Sequence, residues 1–379
     1  MDLVVNHTSN EHPWFKSARS DPKSKYRDWY VWSKKRPHNY KEGMVFPGVQ
    51  KATWTYDKEA RLWYHHRFYD FQPDLNIDNL EVRTEIQRIM GYWLELGVSG
   101  FRVDAVPSII ESLKTGRKRV RHYGYLADMR NFLQWRSGDA ILLGEANVLP
   151  NENPQFFGED GERLQMMFNF YVNQHLFYTL ATADVAPLVR ALNLTRRIPL
   201  PFAQWVFFLR NHDEVYRPQS VAAVYDRRRL YVQSPSAAKT VLPVISKSVW
   251  SYKRINVESQ RYDPNSLLNR TVRRLRLRKE CPELGWGNWR ILNTRNPSVL
   301  AILYEWRNNY LLTLHNFSDQ PQDVTININV EGGERLVNLV ASDPSEAVRE
   351  TRHRIALESY SYRWYRVGGL RYILKREKY

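Results

Sequence analysis

Apolar residues recur at three- and four-residue spacing across residues 81–96, where Val82, Ile86, Ile89, Met90, Trp93 and Leu94 share one face. This spacing predicts a helix, with Gly97 placed to close it. Residues 129–135 predict a second helix. Short apolar runs of strand length lie at residues 3–5, 100–103, 140–143, 165–170 and 205–209. Strands alternating with helices predict a parallel α/β sheet. Three of the runs lead into polar residues: Asp104, Glu145, and the pair His212 and Asp213. Polar groups just past strand ends are what a (β/α)-barrel uses to build its site.

Two stretches depart from this pattern. Residues 8–79 show little periodicity and are full of Trp, Tyr, His and Pro, so they read as an inserted loop-rich subdomain. From residue 291 onward, short strands at 299–304, 310–314 and 324–328 alternate with turn signals such as Gly332-Gly333 and Asp343-Pro344. That regular spacing predicts an antiparallel β-sandwich. The expected organisation is a catalytic domain over 1–290 and an all-β domain over 291–379.

Composition narrows the function classes. The chain is 43% hydrophobic and 25% charged, ordinary for a globular protein. Its single cysteine, Cys281, allows no internal disulfide and reads as an inert thiol at a helix end, which points to a reducing compartment, the cytoplasm. The first residues do not read as a signal peptide, and no apolar run reaches the roughly 18–20 residues of a membrane helix. The net charge of +16 raises nucleic-acid binding as an alternative. Its distribution argues against it: residues 1–214 hold 28 Lys and Arg against 25 Asp and Glu, whereas residues 215–379 hold 28 against 15. The densest cluster, residues 270–279, interleaves Val272, Leu275 and Leu277 and reads as a solvated helix face over a core stripe. We expect no nucleic-acid partner and no membrane association; the oligomeric state stays open.

Retaining cleavage of a glycoside needs two carboxyl groups, one nucleophilic and one acid/base, about 5–5.5 Å apart. Asp104 and Glu145 stand one strand-helix-strand step apart, which would bring them to neighbouring strand ends. Arg102 is two residues before Asp104 and points to the same side of the strand, where a guanidinium would orient the carboxylate. Each carboxylate taken alone is more often a helix cap or a surface group; the combination carries the reading.

Five segments occur in order: Asp2-Leu3-Val4-Val5-Asn6-His7, Gln72-Pro73-Asp74-Leu75-Asn76, Gly100-Phe101-Arg102-Val103-Asp104, Gly144-Glu145-Ala146-Asn147 and Arg210-Asn211-His212-Asp213-Glu214. Together they resemble the conserved regions of the α-amylase superfamily (glycoside hydrolase family 13), with the second resembling its oligo-1,6-glucosidase and trehalose synthase branch. The resemblance implies a (β/α)8 catalytic domain with Asp104 as nucleophile, Glu145 as acid/base and Asp213 as the carboxylate that holds sugar hydroxyls. It implies that His7, Arg102 and His212 bind the sugar. Asn6 resembles a position that often ligates calcium; no other cofactor is implied. The implied partners are maltose, trehalose or a short α-glucan. The implied reaction is isomerisation of maltose to trehalose, with hydrolysis of maltose, or an inactive shortened homologue, as alternatives. Against the family pattern, barrel strands 1, 2 and 8 are expected to be missing, which would leave strands 3 to 7 as an open five-stranded sheet.

Overall fold

The computed structural model describes residues 1–46, 48–112, 120–196, 203–209, 251, 253–340, 345–346 and 350–368. The chain divides into two compact units, residues 1–174 with 191–208, and residues 175–190 with 209–379.

The first unit is built on five short parallel strands. β1 (Asp2–Leu3) is followed by α1 (Pro13–Ser20) and by a three-stranded antiparallel sheet of β2 (Trp32–Ser33), β3 (Trp54–Asp57) and β4 (Leu62–His65). Then come α2 (Leu80–Glu95), β5 (Gly100–Val103), α3 (Val106–Ile109) and the pair β6 (Glu111–Ser112) and β7 (Val120–Arg121). α4 (Gly124–Arg136), β8 (Ile141–Gly144), α5 (Asn153–Phe157), β9 (Met166–Phe168), α6 (Phe170–Thr182), α7 (Ala186–Thr195) and β10 (Gln204–Val206) follow in order. Among the described residues the parallel sheet has the order β1-β5-β8-β9-β10. This is the order expected for barrel strands 3 to 7. The segment around the expected loss of strand 8, residues 210–250, lies outside the described residues.

Local chemistry accounts for these elements. The Asn79 side chain caps α2 by accepting from Glu81 N–H, and the helix buries Val82, Ile86 and Met90 as its spacing predicts. α4 starts before residue 129, because Tyr125 and Leu126 extend the buried stripe of Met129 and Leu133 by one turn. The last parallel strand stops at Val206, short of residue 209, and Phe207 and Leu209 are exposed. Gly100 sits at φ +153, and a Cβ there would lie 2.4 Å from the Ile141 carbonyl oxygen. Glycine is therefore what lets β5 and β8 approach. The core of the unit includes Phe101, Val103, Val106, Met129, Leu133, Leu142 and Met167, all at most 2% exposed.

The second unit takes in residues 175–190, which are parts of α6 and α7, and then α8 (Val257–Tyr262), α9 (Leu267–Lys279) and α10 (Glu283–Trp286). The strands are β11 (Asn288–Leu292), β12 (Val299–Trp306), β13 (Asn309–Asn316), β14 (Gln322–Asn327), β15 (Arg335–Asn338), β16 (Ser345–Glu346), β17 (Arg352–Leu357) and β18 (Tyr362–Val367). They form a six-stranded antiparallel sheet, β11-β12-β13-β18-β15-β16, and a two-stranded sheet, β14-β17. Val324 and Ile326 alternate inward from β14, Ile355 and Leu357 from β17, and they share one core with Ala301, Leu303, Leu312 and Leu314. This is the expected all-β sandwich. Arg307 and Asn308, both at positive φ, make the two-residue turn between β12 and β13.

One expectation is corrected here. α9 has no buried residue, and Leu275 is 56% exposed, so Val272, Leu275 and Leu277 do not form a core stripe. Arg274 instead lies over the Tyr362 ring, and the basic residues of the last turn complement the helix C-terminus. Cys281 is buried, and burial pushes its thiol pKa up, which suits an inert group. Among the described residues no helix is long and apolar enough to cross a membrane.

Candidate active site

Strand register brings the two carboxyl groups together. In the β5–β8 ladder Arg102 pairs with Leu143 and Val103 with Gly144, so Asp104 and Glu145 are the next residues on neighbouring strands. The ladder continues through Glu145 N–H donating to Val103 O and Asp104 N–H to Leu3 O. Gly144 packs against Leu164 and Val106 so closely that a Cβ would lie 2.4 Å from Leu164 Cδ1. Ala105, directly after Asp104, takes the left-handed conformation at φ 48, and the chain then turns at once into α3. A non-glycine residue held there marks a backbone fixed by its surroundings.

Arg102 is the centre of the site. Its Nη1 donates to Asp104 Oδ1 at 2.8 Å and lies 3.1 Å from Asp2 Oδ1. Its Nη2 lies 2.7 Å from Glu145 Oε2. One guanidinium therefore touches carboxyl groups from three adjacent strand ends. Burial raises the pKa of Glu145 to about 7, helped by its hydrogen bond with Asp104 and opposed by Arg102. A carboxyl poised there can give a proton and take it back near neutral pH.

His7 lies past the end of β1, half-buried, with its backbone bridged to Asp74. Burial lowers its pKa, while the charges of Asp74 and Asp104 pull the other way. Phe68 meets its ring edge-on at 5.4 Å. Asn6, 4% exposed, donates through Nδ2 to Asp74 Oδ1 at 3.0 Å. Asp74 Oδ2 accepts from Arg67 N–H and lies 3.0 Å from His65 Nδ1. These contacts outweigh the effect of burial and hold the Asp74 carboxyl below its ordinary pKa. Arg67 also forms a buried ion pair with Glu111, which ties the loop-rich subdomain to the segment after the Asp104 strand.

The structure thus brings together Asp104, Glu145, Arg102 and His7. His212 and Asp213 lie outside the described residues. Asn6 directs its amide nitrogen at the Asp74 carboxylate and at the His7 ring. Among the described residues no group of three or more His, Cys, Asp or Glu could hold a metal ion. Asp2 and Asp74 stand in two of the five ordered segments without a role of their own there, and His65, Arg67 and Glu111 lie outside those segments. The parity of Asp2 with Arg102 across a strand pair was the one signal available.

Residues 1–250 match the family model for the α-amylase catalytic domain, and residues 309–366 match the C-terminal domain of sucrose hydrolase-like proteins. The trehalose synthase of Pimelobacter sp. (strain R48) is 29% identical over 457 residues, covering 97% of this chain and 80% of the relative. That alignment is longer than the 379-residue chain, so it includes positions this chain does not have. The trehalose synthase of Thermus thermophilus is 31% identical over 96% of this chain and 46% of the relative. Among solved structures, the α-amylase from H. orenii superposes with a TM-score of 0.78 at 20% identity, covering 97% of this chain and 79% of that one. The Bacillus licheniformis trehalose-6-phosphate hydrolase gives 0.73 at 21% identity, covering 97% and 83%. These two likenesses establish the fold as that of the α-amylases. With the catalytic-domain match spanning most of its length, the chain belongs to the α-amylase family, glycoside hydrolase family 13.

Proposed function

We propose that this chain converts maltose to trehalose by retaining chemistry, with Asp104 as nucleophile and Glu145 as acid/base. Asp104 attacks the anomeric carbon of the non-reducing glucose while Glu145 gives its proton to the glycosidic oxygen. The old C–O bond breaks, leaving a β-glucosyl ester on Asp104 and a free glucose. The anomeric hydroxyl of that glucose then attacks the same carbon, Asp104 departs, and Glu145 takes the proton. Attack by water instead gives two glucoses, so exclusion of water sets the ratio.

One observation carries the reading: the Arg102 guanidinium touches both carboxyl groups while burial holds Glu145 near pKa 7. A Glu145 carboxyl that keeps its proton near neutral pH can serve as the acid of the first step. Relatives named trehalose synthase favour trehalose as the product. His7, His212 and Asp213 are proposed to hold the sugar hydroxyls. Calcium has no part in the scheme. The single cysteine supports a cytoplasmic setting.

Incubating the purified chain with maltose, beside Asp104→Asn, tests this directly. Trehalose from the native chain alone is the expected result. Glucose alone would make the protein a hydrolase, and no product from a folded chain would overturn the proposal.

A further inference from the structure

Two side-chain amides approach the His7 ring. Asn6 Nδ2 lies 3.3 Å from Nδ1, and the terminal amide of Gln72 lies 3.0 Å from Nε2. As placed, both present nitrogen. A neutral imidazole carries one N–H and accepts at only one nitrogen, so one of the two amides must present its oxygen instead. Burial keeps His7 neutral, so the question is which amide turns.

Asn6 is locked. Its Nδ2 also donates to Asp74 Oδ1 at 3.0 Å, in a pocket where Asn6 is 4% and Asp74 2% exposed. Turning that amide would set its oxygen about 3.0 Å from a buried carboxylate oxygen, two acceptors facing each other. Asp74 cannot yield either, since its other oxygen is occupied by Arg67 N–H and His65. Among the described residues, the Gln72 side chain is otherwise held by one long contact, Tyr69 N–H to Oε1 at 3.4 Å. Gln72 therefore turns, and its oxygen faces Nε2.

We propose that Asn6, anchored by Asp74, is a positioning residue that fixes His7 as the Nε2–H tautomer, a hydrogen-bond donor toward the sugar site. This assigns Asn6 the work of orienting a proton in place of holding a metal. The donor then suits a hydroxyl or ring oxygen of an α-glucoside, a step that rests on the function proposed above. The tautomer itself does not rest on it.

The test is a long-range proton–nitrogen NMR correlation on the full ¹⁵N-labelled chain at pH 7.5, with His7 assigned by its loss in His7→Gln. The expected pattern is a protonated Nε2 and an accepting Nδ1. A protonated Nδ1 overturns the proposal. Asn6→Asp replaces the donor facing Nδ1 by an acceptor. In a folded variant the tautomer should switch to Nδ1–H and KM for maltose should rise about tenfold, with a smaller change in kcat. An unchanged Nε2–H in that variant also overturns the proposal. A native chain with Nε2–H that turns over no maltose would sink the proposed function and leave the positioning role standing; turnover by a Nδ1–H ring would do the reverse.

Discussion

Arg102 lies 2.7 Å from Glu145 with the same guanidinium that donates to Asp104 at 2.8 Å. The two carboxyl groups therefore share a cation, and the balance between them depends on it. Burial pushes the Glu145 pKa up to about 7, and Arg102 limits the rise. Replacing Arg102 by Leu should move the alkaline limb of the kcat/KM profile above its native position and lower the peak by about a hundredfold or more. A pH–rate profile on maltose checks both; a limb that stays put would separate Arg102 from Glu145.

In the native chain that limb should fall near pH 7, because Glu145 must be protonated to assist bond cleavage. Glu145→Gln should abolish the limb and cost about 10²–10⁴-fold on maltose. An α-glucoside with a strongly acidic aryl leaving group needs no proton and should lose far less. Comparing the two substrates in one variant decides whether Glu145 acts as the acid.

The same raised pKa bears on stability. A Glu whose folded pKa lies above its unfolded value binds its proton more tightly when folded, so its contribution is present below the unfolded pKa, about 4.3, and is lost as pH rises through 7. Glu145→Gln should therefore gain Tm relative to the native chain as pH is raised from 5 to 8. Thermal unfolding at several pH values reads this; a constant difference would contradict it.

Arg67 and Glu111 form a buried ion pair, with 9% and 8% exposure. Arg67→Met removes a buried cationic partner of the Glu111 carboxylate and should cost roughly 3 kcal/mol in urea unfolding. Adding Glu111→Leu should recover part of that, since the buried carboxylate is then replaced by an apolar side chain. Failure of the double variant to recover would mean the pair is needed for its geometry.

Gly100→Ala should destabilise by more than about 2 kcal/mol, because it combines a backbone conformation unsuited to alanine with a Cβ 2.4 Å from the Ile141 carbonyl oxygen. Denaturant unfolding measures the cost, and loss of maltose turnover should accompany it, since β5 carries Asp104 and packs on the strand before Glu145.

The amino-acid pattern by itself determined the elements whose signal is periodic over a short window. The stripe of Val82, Ile86 and Met90 dictated α2, the alternation of Val324 and Ile326 dictated β14, and the two-residue parity of Arg102 and Asp104 placed both groups on one side of β5. Ordered motifs then led to the family. What those patterns cannot encode is which distant groups meet. Only the folded chain joins Asn6 to Asp74, 68 residues away, and Arg67 to Glu111, 44 residues away. That pairing makes Asn6 a donor to a carboxylate, where resemblance had suggested a calcium ligand. The exposure of α9 was likewise a tertiary outcome, since an apolar stripe declares that a helix can be buried and not what stands opposite to bury it. Periodicity is a property of neighbours along the chain; a hydrogen bond across 68 residues exists only once closure of the chain has brought its two ends together.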